Sequence, residues 1–209
     1  MTRTLRDGPA ARDEAIRVLR DGGIVAVPTD TVYGLAVAMD TPDGIERLFE
    51  AKRRPTDRAV AVLLADREQA AAIATPTRLS RRLAARWWPG GLTLVLDQRA
   101  GQPLPEALTG GRPTIGVRVP DHPAPRALAA ALGPLPTTSA NVSGEPEARD
   151  ATEIGRLFGG AIDLILDGGP APGGPPSTVV DARGPEPLIL REGAIPARLI
   201  ETAARDMGR

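Results

Sequence analysis

The stretch "GIVAVPTDTVYGLAVA", residues 23–38, contains two short apolar runs separated by a polar segment. The first run, residues 23–28, predicts a buried strand that stops at Pro28, because proline cannot donate a hydrogen bond to a sheet ladder. The second run, residues 35–38, predicts another short strand. Between them lie threonine hydroxyls, a carboxylate and a phenol. The stretch therefore predicts a sheet whose strands are joined by a chemically active connection.

Outward from this stretch, helical and strand patterns alternate. Residues 9–21 are amphipathic, with Pro9 in the first turn and Gly22 beyond the last, as expected of a helix. Thr41 is expected to cap a second helix that has Pro42 at its first position and runs to about Lys52. The remaining pattern predicts helices over 66–74, 77–88, 123–132 and from 196, and strands over 59–65, 92–97, 114–120, 135–138, 162–167, 177–181 and 187–191. This order predicts one α/β domain over residues 1–209, with a twisted, partly parallel sheet and a loop at 167–177.

The composition excludes several classes of protein. Formal net charge is zero, with 26 acidic and 26 basic side chains, whereas nonspecific nucleic-acid binders usually carry a basic excess. The chain has no cysteine and one histidine, which excludes disulfides, thiol nucleophiles and zinc sites built from several such residues. The sequence has no signal-peptide pattern and no run approaching 18 apolar residues. We therefore expect a cytoplasmic protein that does not enter membranes.

Several residue types are so rare that their positions are informative. Lys52 is the only lysine among the 26 cationic side chains, and tyrosine, histidine and asparagine occur once each, at Tyr33, His122 and Asn141. Most of these residues and of the four serines fall in the short segments "PTDTVYGL", "AKRRP", "TTSANVSG" and "PPSTVVD". If a composition bias removes replaceable residues of the rare types, the members that are left should lie where their chemistry is needed. We therefore treat the four segments as candidate parts of one site.

These segments follow predicted strands, where open α/β sheets place their ligand crevices. In "TIGVRVP", residues 114–120, alternation puts Thr114, Gly116 and Arg118 on the polar face of a strand. The segment "AKRRPTDR" adds the cations Lys52, Arg53, Arg54 and Arg58. Hydroxyls, guanidinium groups and one ammonium that converge in a cleft predict a site for polyanions and carboxylates. An ammonium is compact and its stem is flexible, so lysine suits a position where the cation must move with a phosphate.

Purely structural interpretations of the same segments compete with the interpretation as an anion-binding site. "AKRRPTDR" is also typical of a solvated helix end whose cations complement the helix dipole, and "TTSANVSG" is also typical of a turn. A serine hydrolase triad is disfavoured because the chain has no G-x-S-x-G elbow. The P-loop and the dinucleotide-binding glycine pattern are absent from the sequence as well.

Taken together and in order, seven motifs resemble the YrdC-like family of threonylcarbamoyl-AMP synthases. They are "GGIVAVPTDTVYGLA", "FEAKRRPTD", "WWPGGLTLVL", "TIGVRVPDHP", "PLPTTSANVSG", "STVVD" and "LILREGAI", and the match covers about residues 10–197. The resemblance implies a single YrdC-like/RibB-like α/β domain, with a mixed open sheet and flanking helices around a large positively charged cavity. It implies a nucleotidyltransferase that makes L-threonylcarbamoyladenylate and pyrophosphate from L-threonine, bicarbonate and ATP.

The implied product serves the N6-threonylcarbamoyl modification of adenosine 37 in tRNA, which separate transferase proteins complete. Mg²⁺ is expected to arrive with ATP, without a dedicated protein cage. The resemblance also implies weak binding of tRNA or double-stranded RNA.

The resemblance assigns roles by motif position. Lys52 and Arg54 are expected to act in catalysis and to contact the nucleotide phosphates. The positions matching threonine contacts are Thr31, Arg118, Thr137 and Ser177. The further positions matching nucleotide contacts are Arg58, Thr114, Ser139, Asn141, Glu147 and Arg191.

The chain departs from the family pattern at three places that bear on the pocket. Ala59 and Val60 replace a usual Pro-Leu pair, and Leu63 stands where some members have histidine. The end of the chain soon after Arg191 resembles the short, single-domain form of the family. Two alternatives stay open: an RNA-binding module, and a relative of the carbamoyl-transferring hydrogenase-maturation proteins, although the cysteine-rich zinc fingers of the latter need residues absent from the sequence.

Overall fold

The computed structural model describes residues 1–53 and 59–205. The strands are β1 (Arg3–Arg6), β2 (Val25–Val27), β3 (Gly34–Ala36), β4 (Ala61–Leu63), β5 (Ala74–Thr75), β6 (Leu92–Gln98), β7 (Thr114–Arg118), β8 (Leu135–Ser139), β9 (Leu164–Asp167), β10 (Thr178–Asp181) and β11 (Leu188–Arg191). The helices are α1 (Pro9–Arg20), α2 (Gly44–Lys52), α3 (Ala70–Ile73), α4 (Arg78–Trp87), α5 (Glu106–Thr109), α6 (Pro123–Leu132), α7 (Ala151–Phe158) and α8 (Ala197–Arg205).

Within the described residues, the strands form one mixed sheet in the order β1-β9-β2-β3-β8-β4-β7-β6-β10-β11, with β5 paired to β6. Strands β1, β9 and β2 are parallel neighbours, as are β4 with β7 and β6 with β10. The pairs β2–β3, β3–β8, β4–β8, β6–β7 and β10–β11 are antiparallel. The α/β class and the mixed, open sheet expected from the sequence are therefore confirmed.

The two faces of the sheet are covered unequally. On one face, apolar side chains from almost the whole sheet join the apolar sides of α2, α4, α7 and α8 in a single core. On the other face, α1 and α6 pack only on the half around β9, β2, β3, the start of β8 and the end of β4. Among the described residues, the second face of β7, β6 and β10 and of the start of β4 carries no such cluster. This uncovered half-face is where the site lies.

Side-chain alternation on β7 shows how the sequence produces this asymmetry. Ile115 and Val117 point into the large core and are fully buried. Thr114, Gly116 and Arg118 alternate with them and line the cavity on the opposite face, as the sequence pattern predicted. The polar face of the strand therefore defines the floor of the site. The expectation that the site lies beyond the strand ends was incomplete, because much of it is built on the face of the sheet.

Two helix predictions were wrong in their boundaries. Helix α2 begins at Gly44, not after a Thr41 cap, because Asp43 adopts a left-handed conformation (φ 54°) and the Gly44 amide bonds the Thr41 carbonyl. Asp tolerates that conformation better than most residues. The predicted helix over 66–74 shrinks to α3, since Ala74 is extended and pairs with Gln98 of β6. Tertiary pairing has overridden local helix propensity there.

Strand β1 and helices α5 and α7 were not predicted. The α7 region did carry a start signal, because Asp150 accepts a hydrogen bond from the Glu153 amide and is followed by Glu three residues later. No helix in residues 1–53 or 59–205 combines the length and the apolar character needed to cross a bilayer.

Candidate active site

The uncovered half-face of the sheet holds a cavity of about 290 Å³ that is open to solvent, at the lower end of the usual size of ligand pockets. Small side chains form its floor, among them Gly34, Ala61 and Gly116. Hydroxyls and guanidinium groups surround this floor: Thr29, Tyr33, Thr93, Arg112, Thr114, Arg118, Thr137, Thr138, Ser139, Ser177 and Arg191. In the described part of the lining, the charged side chains are three arginines.

Strand register divides the cavity into two ends. Strand β7 runs along the floor from Thr114 to Arg118, which at 3.3 Å per residue is about 13 Å. Leu94 pairs with Val117, so Thr93 lies beside Arg118. Val179 pairs with both Thr93 and Arg191, which brings Arg191 to the same level. We call this part the Arg118 end.

The opposite part, which we call the Thr114 end, is reached along β8. Thr137 pairs with Ala61, which pairs in turn with Gly116, so Thr137 lies midway. Strand β8 runs antiparallel to β4, and Ser139 therefore lies two residues closer to the level of Thr114. Among the assigned residues that line the cavity, the threonine-type and nucleotide-type positions thus separate along the strands, except that Thr137 lies midway and Arg191 lies at the Arg118 end.

At the Arg118 end, the guanidinium of Arg118 is held by the protein. It is 6 % exposed, and it donates to Asp30 Oδ1 (2.7 Å), to Thr31 Oγ1 (3.0 Å) and to the Gly90 carbonyl (2.9 Å). Burial lowers the pKa of Arg118, Asp30 raises it, and the nearby charge of Arg191 lowers it. Two guanidinium groups that line the same end of a cavity favour binding of an anion there.

The connection between β2 and β3 supplies the partner hydroxyls. Thr31 is buried, and its Oγ1 lies 3.2 Å from Thr29 Oγ1. The Thr29 hydroxyl also accepts from the Thr31 amide and donates to the Val32 carbonyl. Thr31 touches the cavity through Arg118 and is not itself part of the lining. Its contact with an amino acid remains a prediction.

Ser177 and Arg191 form the outer wall of the same end. Ser177 Oγ lies 2.8 Å from Thr93 Oγ1, and Arg191 donates to the Ser177 carbonyl at 2.7 Å. Burial of its guanidinium lowers the pKa of Arg191, and the charge of Glu147 raises it. Glu147 is therefore near Arg191, although it does not line the cavity.

Behind the Thr114 end, the ammonium of Lys52 is buried. Lys52 is 2 % exposed, and its Nζ donates to Thr138 Oγ1 (3.1 Å), to Asn141 Oδ1 (3.0 Å) and to the Ser139 carbonyl. Ser139 Oγ donates to Asn141 Oδ1 at 2.7 Å. Lys52 is thus fixed one layer behind Ser139, not on a free stem as the sequence interpretation assumed. Its contact with a phosphate remains a prediction.

Some of the other residues that the resemblance assigns to the site line the cavity, and some do not. Thr114 and Thr137 line the cavity as expected, although the Thr137 hydroxyl donates to the Leu135 carbonyl (2.9 Å). Asn141 acts through Lys52 and Ser139 and not at the surface of the cavity. Arg54 and Arg58 lie outside the described residues.

The departures from the family pattern also have definite places. Ala59, Val60 and Leu63 all line the cavity, and Val60 is also packed in the core. All three departures therefore change the wall of the pocket directly.

Sequence reasoning missed the roles of four residues. Asp30 orients Arg118, and Thr93 supports Ser177. Arg112 lines the opening of the cavity. The Tyr33 hydroxyl fixes the loop after β9, because it donates to the Gly169 carbonyl (2.6 Å) and accepts from the Gly168 amide (3.0 Å). Only Asp30 and Tyr33 carried a signal, since both lie in the polar segment after β2.

No group of three or more His, Asp or Glu side chains in residues 1–53 and 59–205 is arranged to hold a metal ion. The donors at the cavity are hydroxyls and arginines, which suit the phosphates of a metal–nucleotide complex better than the metal itself.

Comparison with known proteins identifies the family. The sequence profile of the Sua5/YciO/YrdC family, described as "Telomere recombination", matches residues 17–193. A threonylcarbamoyl-AMP synthase of Pyrococcus abyssi is 38 % identical over 88 % of this chain, which spans only about half (54 %) of that protein. A threonylcarbamoyl-AMP synthase of Vibrio vulnificus is 35 % identical, with 86 % of this chain and 97 % of the relative covered.

A solved structure supports the same grouping. P. abyssi Sua5 complexed with L-threonine superposes with a TM-score of 0.89 at 35 % identity, covering 97 % of this chain and 60 % of the other. The chain therefore belongs to the Sua5/YciO/YrdC family.

Proposed function

We propose that the protein is an L-threonylcarbamoyladenylate synthase, which converts L-threonine, bicarbonate and ATP to L-threonylcarbamoyladenylate and pyrophosphate. The observation that carries the proposal is one cavity with two differently built ends. Arg118 and Arg191 face the Arg118 end, and Ser139, bonded to the buried Lys52, faces the Thr114 end. The names of the Pyrococcus and Vibrio relatives support the same reaction.

The chemistry requires two anions to meet. The neutral amine of threonine attacks the carbon of bicarbonate or carbon dioxide, and loss of water or a proton leaves a carbamate. A carbamate oxygen then forms a bond to the α-phosphorus of ATP as the bond to pyrophosphate breaks. Cations held in place before the reaction reduce the repulsion without further reorganisation, and the three hydrogen bonds of Arg118 supply such fixation.

Catalysis in this scheme rests on positioning and electrostatics, with no covalent enzyme intermediate. Arg118 would bind the carboxylate or carbamate of the amino acid, while Ser139 and Thr114 would hold the nucleotide phosphates. Mg²⁺ enters as part of the MgATP substrate and neutralises phosphate charge.

The product is an activated acyl group, so the reaction serves downstream transferase proteins that modify adenosine 37 of tRNA in the cytoplasm. We propose that any contact of this chain with tRNA is weak, since the net charge is zero. Titration of tRNA binding against salt tests this point. High affinity with a steep salt dependence would favour an RNA-binding module instead.

The direct test is pyrophosphate release with ATP, bicarbonate and each amino acid in turn, together with mass detection of the adenylate. Release should depend on both bicarbonate and threonine. Arg118→Lys should raise KM for threonine about tenfold, because an ammonium cannot make the same forked contacts. Arg183→Lys is the matched control, since Arg183 is exposed and pairs with Asp181 outside the cavity. Pyrophosphate release that does not depend on bicarbonate and the amino acid would overturn the proposal.

A further inference from the structure

Arg112 lies at the mouth of the Thr114 end, two residues before Thr114, and no matched motif includes it. Its side chain is exposed and lines the cavity. Its backbone is fixed: the Arg112 carbonyl accepts from the Gln98 side chain at 2.6 Å. The preceding turn contains Gly110 and Gly111, with φ of 62° and 71°, which favour glycine. The Cα position is therefore defined while the guanidinium remains accessible.

The three described arginines of the lining differ in how they are used. Arg118 donates three hydrogen bonds to the protein, and Arg191 donates to Ser177. Within residues 1–53 and 59–205, the guanidinium of Arg112 has no hydrogen-bond or ion-pair partner. Its five donors are thus available to a ligand.

The direction of the nucleotide follows from the proposed reaction. The α-phosphate must lie next to the carbamate, and the carbamate lies with the amino acid at the Arg118 end. The rest of the nucleotide then extends toward the Thr114 end. That end presents the hydroxyls of Thr114 and Ser139, with the Lys52 ammonium behind Ser139, and this chemistry suits phosphates better than an adenine ring.

We propose that Arg112 binds the terminal phosphates of ATP and holds pyrophosphate as it leaves. The inference rests on the proposed function for the direction of the nucleotide. Arg112 is a forked donor at the solvent end of the phosphate path, so it would act on ATP and on pyrophosphate but not on AMP.

The test is equilibrium binding of MgATP, magnesium pyrophosphate and AMP, which needs no turnover. Arg112→Ala should weaken MgATP and pyrophosphate about fivefold at low ionic strength, the usual scale for an exposed charged contact. Arg112→Glu should weaken both by more, Arg112→Lys by less, and AMP should bind all variants equally. Arg78→Ala is the control, since Arg78 is an exposed arginine of α4 that does not line the cavity.

Each outcome decides the matter. Unchanged MgATP and pyrophosphate affinity in Arg112→Glu would overturn the inference, as would an equal loss of AMP affinity, which would place Arg112 at the adenosine. If the wild-type protein binds MgATP but forms no adenylate with threonine, the proposed function fails. In that case, an Arg112 variant that loses affinity for MgATP and pyrophosphate but not for AMP would still support the contact between Arg112 and the phosphates. A wild-type protein that binds neither MgATP nor pyrophosphate overturns both.

Discussion

The buried ammonium of Lys52 supports the phosphate end of the cavity from behind. It joins α2 to the end of β8 by hydrogen bonds to Thr138, Ser139 and Asn141. A guanidinium is larger and planar, so arginine cannot make the same three short contacts in the same space. This geometry gives a physical reason for a lysine in a chain that otherwise uses arginine.

Replacing Lys52 should therefore reduce turnover strongly. Lys52→Ala should lower the rate of pyrophosphate release by about 10²–10³, the range for a lost electrostatic stabiliser, and Lys52→Arg should not restore it. The thermal unfolding of the variants should be measured alongside the assay, because removal of the ammonium leaves three acceptors without their donor and can lower stability. Near-normal turnover in a folded Lys52→Ala protein would contradict this role.

Tyr33 connects the cavity wall to the loop that begins at Gly168. Its hydroxyl bonds the backbone of Gly168 and Gly169, and burial raises the pKa of Tyr33 above its ordinary value of 10. Between the ordinary and the raised pKa, the unfolded chain loses this proton while the folded protein keeps it. Stability should therefore fall as pH rises above about 10.

This pH effect is measurable because few other groups titrate in that range. The sequence has one tyrosine, one lysine and no cysteine, and arginine stays charged. The free energy of unfolding in urea should decline from about pH 10 upward, and the decline should be shallower in Tyr33→Phe. That variant should also be less stable at neutral pH by about 1 kcal/mol, for the lost hydrogen bonds. Identical pH slopes for both proteins would contradict the assignment.

At the scale of elements, α7 shows how a short capping signal outweighs an interrupted pattern. Gly155 within the helix and Gly159 at its end weaken helix propensity. The Asp150 side chain accepts from the Glu153 amide (2.9 Å), and the Glu153 carboxylate accepts from the Arg149 amide (2.9 Å). Ile154 and Phe158 then pack in the large core.

Asp150→Ala should consequently destabilise the protein by about 1 kcal/mol, the usual value of a lost N-cap. Urea unfolding measures this change. Asp13→Ala is a suitable control, because Asp13 is an exposed carboxylate within α1 that caps nothing. Equal midpoints for the two variants would show that the cap is dispensable.

Most of the strands were predictable from the sequence because their patterns are local. Alternation in residues 114–118 even identified which side chains of β7 face the site. Helix ends were less predictable where distant contacts decide them: Ala74 leaves its helix to pair with Gln98, and the Gln69 side chain donates from its Nε2 to the carbonyl of Ala129. No local pattern contains such partners.

At the scale of the whole molecule, the place of the cavity depends on which half of the sheet the helices leave uncovered. The polar segments indicated the chemistry of the site, but their convergence depends on strand order. Arg191 lies near Arg118 only because β10 lies between β6 and β11. The partners of Tyr33 are 135 and 136 residues away in sequence. Relations of this kind are set by topology and not by spacing.

The outer wall of the cavity relies on a close backbone approach at Gly193. A Cβ there would lie 2.7 Å from the Ser177 carbonyl carbon and closer still to the Pro176 oxygen. Gly193→Ala should displace Ser177, destabilise the fold by about 2 kcal/mol and raise KM for threonine. Unfolding midpoints and kinetics measure the two effects.

Gly184→Ala provides the comparison, because the nearest atom to its added methyl group is 4.0 Å away. Wild-type stability and kinetics in Gly193→Ala would mean that the wall tolerates a methyl group, and that the close approach does not define the site.

The half-covered sheet also affects how the protein should be handled in the laboratory. Arginines and hydroxyls gathered in an open hollow do not distinguish the phosphate of a nucleotide from that of a buffer. Sulfate or inorganic phosphate would occupy the hollow, raise the melting temperature by mass action and compete with ATP. Storage is therefore best in such salts, whereas affinities and rates are best measured in a zwitterionic buffer with chloride.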